Sequence, residues 1–257
     1  NMTNNPDASP QQTSPQERLA QIIGAQISKP GDYGTAITGL GFFRREHPAP
    51  PVICMVEPSI ILVARGEKQL WVGGEGYPYD RSRFLITSLD LPANSEVLTA
   101  SAEQPCLGLT LKLDLRMLAE LIAQSDLPPT RDRSVAKGVG IGSVTPAMLA
   151  SFERLLALLE EPESIPVLAP LIQREIHYRL LQSDQASRLR QITSVDGQGY
   201  RIAKAIDWLK LNYTSALRVD ELAARVQMST PTFHHHFRQL TAMSPLQYQK
   251  WLRLNEA

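Results

Sequence analysis

The sequence predicts an α+β, multidomain chain: an N-terminal β-barrel, helices that follow the barrel, and an all-α helix-turn-helix segment at the end. Short apolar runs separated by Gly, Pro and Asp fill residues 34–113, and a helical period replaces them after Leu113. A small polar stretch, "TSVDGQG", then precedes four short helical segments. The sequence therefore divides into a disordered N-terminus (1–13), the barrel with its helices (14–192), a linker (193–199) and the helix-turn-helix segment (200–257).

The first helix is predicted to begin at Ser14–Pro15–Gln16–Glu17. Ser14 is a suitable N-cap, proline fits the first turn, and Glu17 lies three residues after the cap, as a capping box requires. The residues before Ser14 are polar and rich in Asn, Pro, Gln and Ser, a composition that favours disorder.

The barrel prediction rests on six short apolar runs, which are residues 52–56, 60–64, 69–72, 84–89, 96–100 and 107–113. In the last run leucines at every second position alternate with Gly108, Thr110 and Lys112, which is typical of a half-buried strand. The stretch "GGEG" at 73–76 predicts a hairpin turn. Many short strands without intervening helices indicate a sandwich or a small barrel.

Three helices are predicted between the barrel and the linker: residues 114–124, a helix that Thr145–Pro146 caps and starts, and residues 167–181. The last two have broad apolar stripes, formed by Leu149, Phe152, Leu155, Leu156 and Leu159 in one and by Leu168, Leu171, Ile172, Ile176 and Leu180 in the other. Such stripes pack either against the barrel or against a second chain, and the sequence leaves both possibilities open.

The tail of the chain differs in charge from the rest. From Tyr200 onward eight basic and four acidic side chains give a net charge of +4, and because the whole chain is neutral the remainder carries −4. A basic tail on an acidic body indicates a polyanion as the partner of the tail.

The pattern of the tail predicts a helix-turn-helix. One short helix has Asp220 and Glu221 in its first turn, the turn Gln227–Met228 follows, and Ser229 caps the next helix. In this motif the second helix lies in the major groove of DNA. A further capping box begins another helix at Ser244.

Three consecutive histidines occur in "STPTFHHHFRQL", residues 229–240. On a helix Phe233, Phe237 and Leu240 share the buried face, and His236 leans towards it. Successive helical residues point about 100° apart, so three adjacent imidazoles cannot converge on one ion, and we predict no metal site here. We expect DNA contacts from the exposed face and from the start of the helix, that is from Ser229, Pro231, Thr232, His234, His235 and Arg238.

Residues 218–257, "RVDELAARVQMSTPTFHHHFRQLTAMSPLQYQKWLRLNEA", combine "ELA", a serine-capped turn, an aromatic residue followed four positions later by Phe, and "SPLQY" before "LRL". With these motifs the tail resembles the AraC/XylS family of bacterial transcription regulators. The body resembles one subgroup of that family through "VICMVEPSIILVARGEKQL", "YPYDRSRFLITSLDLP" and "IPVLAPLIQREIHYRLL". The resemblance covers nearly everything from about residue 18, and it implies a cupin-like barrel, dimerising helices behind it and DNA binding by the tail.

The sequence departs from the family pattern at three points. The family has two helix-turn-helix units joined by a long helix, whereas this sequence reaches Ala257 within that helix, so we expect one unit and weak DNA binding by it. Many relatives have arginine at the position of His235, and a neutral histidine offers one donor and one acceptor instead of two parallel bonds to guanine. Arg218 occupies the usual capping position before the first helix of the motif and caps it poorly.

The predicted barrel has too few histidines for a metal-dependent cupin enzyme, since His47 is the only one before His177. No nucleophile elbow, paired-carboxylate motif or phosphate-binding glycine loop occurs, and we expect no catalytic residue, metal or cofactor. Small barrels can hold one small ligand. An aromatic wall and a charge for an organic anion are predicted from Arg44, Arg65, Trp71, Tyr77 and Tyr79.

These observations predict a sequence-specific, DNA-binding transcription regulator of the AraC type, controlled by a small-molecule effector in the barrel. Its expected partners are double-stranded operator DNA, the unknown effector, a second copy in a homodimer, and RNA polymerase. A binding module without productive DNA binding and, less favoured, a metal-independent cupin enzyme are the alternatives. The chain contains no apolar run of about 20 residues, and Cys54 and Cys106 are isolated in apolar surroundings, which favours free thiols in the cytoplasm.

Overall fold

The computed structural model of the chain describes residues 12–127 and 137–256, which form one curled sheet and nine α-helices. The strands are β1 (Gly31–Gly34), β2 (Leu40–Arg45), β3 (Ala49–Val56), β4 (Ser59–Arg65), β5 (Glu67–Val72), β6 (Glu75–Asp80), β7 (Arg83–Thr87), β8 (Leu91–Thr99), β9 (Cys106–Lys112) and β10 (Val139–Ser143). The helices are α1 (Pro15–Gln26), α2 (Leu115–Gln124), α3 (Pro146–Ala157), α4 (Ile165–Leu181), α5 (Ala186–Thr193), α6 (Gln198–Asn212), α7 (Val219–Arg225), α8 (Thr230–Thr241) and α9 (Pro245–Asn255). Within the described ranges, none of the helices is both long and apolar enough to cross a membrane.

The sheet is antiparallel, in the order β1-β2-β9-β4-β7-β6-β5-β8-β3, with β10 paired to β7. It curls so far that strands distant in this order, such as β2 and β3, line the same cavity. Among the described residues β1 and β3 end the order without pairing to each other, so the barrel is an open half-barrel. The predicted α+β architecture, a cupin-like barrel followed by helices, is confirmed in this form.

The six predicted apolar runs coincide with β3, β4, β5, β7, β8 and β9. In β9 Leu107, Leu109 and Leu111 are buried, as the alternation predicts. The patterns do not predict β1, β2, β6 or β10. The strand β10 corrects the expectation that the chain is entirely helical after Leu113, because it returns to the sheet and pairs Gly140 with Ile86.

Two hydrophobic clusters cover the two faces of the sheet. On the convex face, side chains of β2, β4, β7 and β9 pack against α1 to α4, around the fully buried Phe152. On the concave face, Phe43, Leu70 and Leu85 belong to a cluster that also contains Phe237 of the tail. One apolar core therefore extends from the barrel into the tail.

The apolar stripes of α3 and α4 pack mainly in the hydrophobic cluster on the convex face of the sheet. Leu149, Phe152, Leu155 and Leu156 of α3 are buried, together with Ile176 and Leu180 of α4. The N-terminal half of α4 is different, because Val167, Leu168 and Leu171 are 67%, 38% and 60% exposed. The stripe on α4 is thus divided between a packed half and a half that faces solvent.

The predicted hairpin turn at "GGEG" joins β5 to β6. Gly73 and Gly74 have φ values of +58° and +80°, which glycine adopts without strain. Gly73 also contacts the tail, since a Cβ added to it would lie 2.4 Å from the Cβ of Ala242. The turn therefore needs glycine both for its backbone conformation and for close packing.

Most helix starts follow the predicted caps. The hydroxyls of Ser14, Thr145 and Ser244 accept bonds from backbone N–H groups of the first turn, and Ser244 completes its capping box with Gln247. The complete capping box predicted at Ser14 is not formed. Ser14 caps the helix, but the carboxylate of Glu17 pairs with Arg65 at 2.6 Å. Helix α7 has no side-chain cap at Arg218, as predicted, and carries its two acidic residues in the first turn.

The connection between the body and the tail is shorter than the predicted linker of residues 193–199. Thr193 ends α5 and Gln198 begins α6, which leaves 194–197 between the two helices. Gly199 is buried, and a Cβ on it would lie 2.9 Å from Gln191 Cγ. The predicted disordered segment falls mostly on residues 1–11, outside the described residues.

His177 joins α4 to the start of α2. Its ring is 1% exposed; Nδ1 lies 2.6 Å from the carbonyl oxygen of Gln173, and Nε2 accepts the backbone N–H of Asp114 at 2.9 Å. These contacts require a neutral ring that carries its proton on Nδ1. Burial lowers the pKa of His177 below its ordinary value of 6.5.

This burial predicts a dependence of stability on pH. The unfolded chain takes up a proton on His177 near pH 6.5, and the folded chain resists it, so the free energy of unfolding should fall as the pH drops below that value, by at most about 1.4 kcal/mol per pH unit. In His177→Gln this contribution is absent. We expect urea unfolding at about pH 7.5 and 5.5 to show a smaller loss of stability in the variant than in the parent. His47→Gln, which changes an exposed histidine, is the control; equal pH dependence in parent and His177→Gln would contradict the prediction.

Candidate nucleic-acid interface and barrel cavity

Helices α7 and α8 form the predicted helix-turn-helix. In the turn between them the backbone N–H of Met228 donates to the carbonyl oxygen of Ala223 at 2.9 Å, and Gln227 takes a left-handed φ of 60°. Ser229 caps α8, because its Oγ accepts the backbone N–H of Thr232 at 3.4 Å and its hydroxyl donates to Thr232 Oγ1 at 2.8 Å. The turn and the cap fix the direction in which α8 leaves α7.

The two faces of α8 are separated as its spacing predicts. Phe233 and Phe237 are fully buried with ring centroids 5.6 Å apart, and Phe237 packs edge-on against Tyr248. The predicted DNA-contacting residues Ser229, Pro231, His234, His235 and Arg238 are exposed, and Thr232 is half-buried at the start of the helix. The side chains predicted to read DNA therefore lie on the accessible face, and their contact with DNA stays a prediction.

The three histidines occupy different environments. His234 and His235 are exposed, whereas His236 is half-buried and its buried Nδ1 has no hydrogen-bond partner among the described residues. Burial lowers the pKa of His236, and the neighbouring His235 lowers it further. Across residues 12–127 and 137–256 no group of three His, Cys, Asp or Glu side chains is placed to hold a metal ion.

The tail docks on the barrel at the loop between β7 and β8. Lys210 Nζ of α6 lies 3.1 Å from Asp90 Oδ1, and the hydroxyl of Tyr248 in α9 donates to the Asp90 carbonyl oxygen at 2.6 Å. Gly138 continues the contact, because its N–H donates to the Leu240 carbonyl oxygen at 2.9 Å. Burial raises the pKa of Asp90, and Lys210 opposes that rise.

A cavity of about 770 Å³ lies in the concave face of the barrel and extends to the tail. Its volume is in the range of small-molecule sites, which is about 300–1,000 Å³. Its lining consists of Asp32, Phe43, Arg45, Ala49, Val52, Ile53, Cys54, Met55, Val56, Glu57, Ser59, Ile61, Lys68, Leu70, Tyr79, Ser95, Val97, Thr110 and Lys112 from the barrel, with Lys210, Tyr213, Leu252 and Glu256 from the tail.

Of the five predicted ligand residues, the structure places Tyr79 in the cavity and the other four outside its lining. Arg44 pairs with Glu46 at 3.0 Å, and Arg65 pairs with Glu17 across the start of α1. The indole N–H of Trp71 donates to Glu96 Oε1 at 2.8 Å. Tyr77 is partly buried against the concave cluster but does not reach the cavity. The predicted aromatic wall is therefore not assembled around one space.

Strand alternation explains why Trp71 does not line the cavity. In β5 the side chains of Lys68, Leu70 and Val72 are buried, whereas Gln69 and Trp71 between them are half-exposed. Lys68 is not among the predicted ligand residues, yet it lines the cavity at 7% exposure. Its position in phase with Leu70 and Val72 is the signal that predicts a buried charge.

Both cysteines lie beside this site as free thiols, as predicted. Cys106 is buried and Cys54 partly so. Burial raises the pKa of the Cys106 thiol to about 11 and raises that of Cys54, with Lys68 opposing both shifts. Neither thiol is therefore an activated nucleophile at neutral pH.

Comparison with known proteins gives one family and several relatives. Residues 36–188 match the family described as "AraC-type transcriptional regulator N-terminus". The HTH-type transcriptional activator RhaS of Yersinia pestis (strain Pestoides F) is 36% identical over 67 residues, which cover 26% of this chain and 24% of that protein. The chain thus matches about a quarter of the length of that curated relative.

Two solved structures are similar to the chain at low scores. ToxT of Vibrio cholerae strain SCE256, with bound unsaturated fatty acid, is 10% identical at a TM-score of 0.39, over 82% of this chain and 94% of that one. The AraC-like transcriptional activator CuxR is 14% identical at a TM-score of 0.37, over 85% and 76% of the two chains. Likenesses at these scores say nothing about individual residues or ligands.

The docking contact at Asp90 can be tested with Tyr248→Phe. The variant keeps the buried ring and removes the donor to the Asp90 carbonyl oxygen, so we expect the free energy of unfolding to fall by about 1–3 kcal/mol. Hydrogen exchange should accelerate first in α6 to α9, because their contact with the barrel loosens. Tyr200→Phe, which removes a hydroxyl without a hydrogen bond in the described part of the chain, is the control; similar losses in both variants would contradict the prediction.

Proposed function

The chain belongs to the family of AraC-type transcriptional regulators, whose N-terminal domain it carries over residues 36–188, and from this premise we propose that it binds operator DNA through α8 under the control of a small molecule in the barrel. The observation that carries the proposal is the division of α8 into two faces. A helix capped by Ser229 buries Phe233 and Phe237 and exposes His234, His235 and Arg238 on a basic tail. The relative RhaS is named a helix-turn-helix type activator, in agreement with this reading.

The exposed residues of α8 suit different contacts with duplex DNA. A neutral imidazole has one donor and one acceptor, so His234 and His235 can bond to base edges in the major groove. Arg238 lies one turn further along the same face and offers a positive charge to a phosphate. Ser229 and Thr232 lie at the N-terminal end of the helix, where backbone N–H groups favour a phosphate.

The effector acts, in this proposal, at the junction of barrel and tail. Lys210, Tyr213 and Leu252 of the tail line the same cavity as the barrel residues, so an occupant contacts both parts. A ligand that binds the docked arrangement better than an undocked one shifts the population towards the docked state. Ligand occupancy would thereby change how α8 is presented to DNA.

We further propose that two copies pair through the N-terminal half of α4, where three large apolar side chains face solvent. Two identical DNA-binding helices held in this way can engage two half-sites of an operator. RNA polymerase is the expected further partner at such a promoter, and the protein would act in the cytoplasm, where operator DNA lies.

Selection from random duplex DNA tests the DNA-binding proposal. The chain should enrich a sequence family, and His235→Ala should bind the enriched site more weakly by about 1–3 kcal/mol while losing preference at one base pair. Arg238→Ala should weaken the enriched and scrambled sites alike and reduce the slope of log K against log salt by about 1.

Arg116→Ala is the control for this experiment, because it removes one exposed positive charge from α2, on the body of the chain. It should leave both the affinity for the enriched site and the salt slope unchanged. Failure of the parent chain to enrich any sequence over the starting pool would overturn the proposed function.

If the proposed dimer forms, the substitution Leu171→Glu should lower the molecular mass of the protein in solution from that of a dimer to that of a monomer. A carboxylate in the centre of the apolar patch would be desolvated in the dimer, so sedimentation should show the parent as a dimer and the variant as a monomer at the same concentration. Leu211→Glu, at an 85% exposed leucine of α6, is the matched control and should remain dimeric. A parent chain that sediments as a monomer at all concentrations would refute the pairing.

A further inference from the structure

The cavity contains a buried cation that has no acidic partner. Lys68 is 7% exposed, and its Nζ lies 4.3 Å from the centroid of the Phe43 ring. Among the described residues Lys68 forms no ion pair with an aspartate or a glutamate. A buried ammonium group is unfavourable unless a counter-charge or hydrogen-bond acceptor meets it. The cation–π contact with Phe43 compensates only in part.

The other cations in the lining do have partners. Arg45 pairs with Asp32 at 2.7 Å, Lys112 with Glu57 at 2.8 Å, and Lys210 with Asp90 at 3.1 Å. Glu256, the remaining acid of the lining, is exposed at the end of α9. The charge left uncompensated inside the cavity is therefore positive and is located on Lys68.

The surroundings of Lys68 are apolar. Its cross-strand neighbours are Tyr79 in β6 and Val97 in β8, both buried, and Leu70 follows on the same face of β5. A small inorganic anion would leave this apolar surface in contact with water. A molecule that joins one negative group to an apolar body satisfies both the charge and the surface.

We propose that the cavity binds an amphipathic carboxylate, whose anionic group pairs with Lys68 and whose aromatic or aliphatic body fills the space between the barrel and the tail. The inference rests on the proposed function, because it names the chemical class of the effector. The body of such a ligand extends from the floor of the cavity at Lys68 towards Tyr213 and Leu252, so its length determines whether it touches the tail.

A bound anion would offset the cost of burying the ammonium group of Lys68. Burial lowers the pKa of its ammonium group, with Arg45 adding to the effect and Asp32 opposing it. A bound carboxylate next to Nζ would favour the charged form. The anion thus gains an ion pair at low dielectric, where charge-assisted hydrogen bonds are strong.

The test uses two pairs of probes that share an apolar body and differ in the head group, an anionic carboxylate in one and a neutral hydroxymethyl group in the other: decanoate with 1-decanol, and 1-naphthoate with 1-naphthalenemethanol. Calorimetry on the whole chain should show saturable binding of at least one carboxylate, and Lys68→Met should weaken it roughly ten- to hundredfold. The affinity for the matching alcohol should not change. Lys68→Arg keeps the positive charge and should retain more carboxylate affinity than Lys68→Met.

Methionine is close to lysine in volume and suits the apolar surroundings, so Lys68→Met should unfold at the same temperature as the parent or higher. Lys29→Met removes an exposed lysine outside the cavity and should bind the carboxylates as the parent does. Absence of saturable binding by every carboxylate, or equal carboxylate affinity in parent and Lys68→Met, would overturn the inference.

The same samples separate this inference from the proposed function. Selective retention of enriched DNA without any probe should be equal in parent and Lys68→Met, since Lys68 lines the barrel cavity and does not belong to the exposed face of α8. Selective DNA binding without carboxylate binding would overturn the ligand assignment alone. Carboxylate binding by a chain that selects no DNA sequence would overturn the proposed regulator and leave the ligand class standing.

Discussion

The molecule depends on the contact between the loop that follows β7 and the helices of the tail. Helices α7 to α9 are each 7 to 12 residues long, and short helices have little stability unless an apolar face is packed. Here Tyr248 and Phe237 pack into the concave core of the barrel, while the Tyr248 hydroxyl and Lys210 bond to Asp90. The barrel thus provides part of the core of the helix-turn-helix.

The same contact connects the cavity with α8. Phe237 lies on the buried face of α8, its ring meets Tyr248 edge-on, and Tyr248 bonds to the loop of Asp90. Lys210, which pairs with Asp90, also lines the cavity. A continuous series of contacts through four residues, Lys210, Asp90, Tyr248 and Phe237, therefore joins the cavity wall to the back of the proposed DNA-reading surface. This series is a physical route for coupling of the two sites.

Local patterns allowed the tail and most strands to be predicted from the sequence. The faces of α8, the cap at Ser229 and the hairpin at Gly73 each depend on neighbouring residues only, so spacing and residue type suffice to predict them. The capping box at Ser14 failed because Arg65, 48 residues away along the chain, binds the carboxylate of Glu17. No local pattern contains that information.

The lining of the cavity, too, cannot be predicted from local sequence patterns. Alternation in β5 separates Lys68 from Trp71, but it does not reveal which of the two faces curls inward. Helices α1 to α4 pack on the convex face and the tail packs on the concave face, and neither contact is contained in the pattern of β5. Aromatic character suggested Trp71, Tyr77 and Tyr79, whereas the assembled sheet brings only Tyr79 of these three to the cavity, together with Lys68.

The hairpin turn at Gly73 has a consequence for how this sequence can vary. A methyl group at position 73 would overlap the side chain of Ala242, although the two residues are 169 positions apart. Position 73 has no room for a side chain while Ala242 and the turn remain in contact. Among descendants of this sequence, replacements at the two positions should therefore be rare or should occur together. The two residues limit how closely the barrel and the tail can pack.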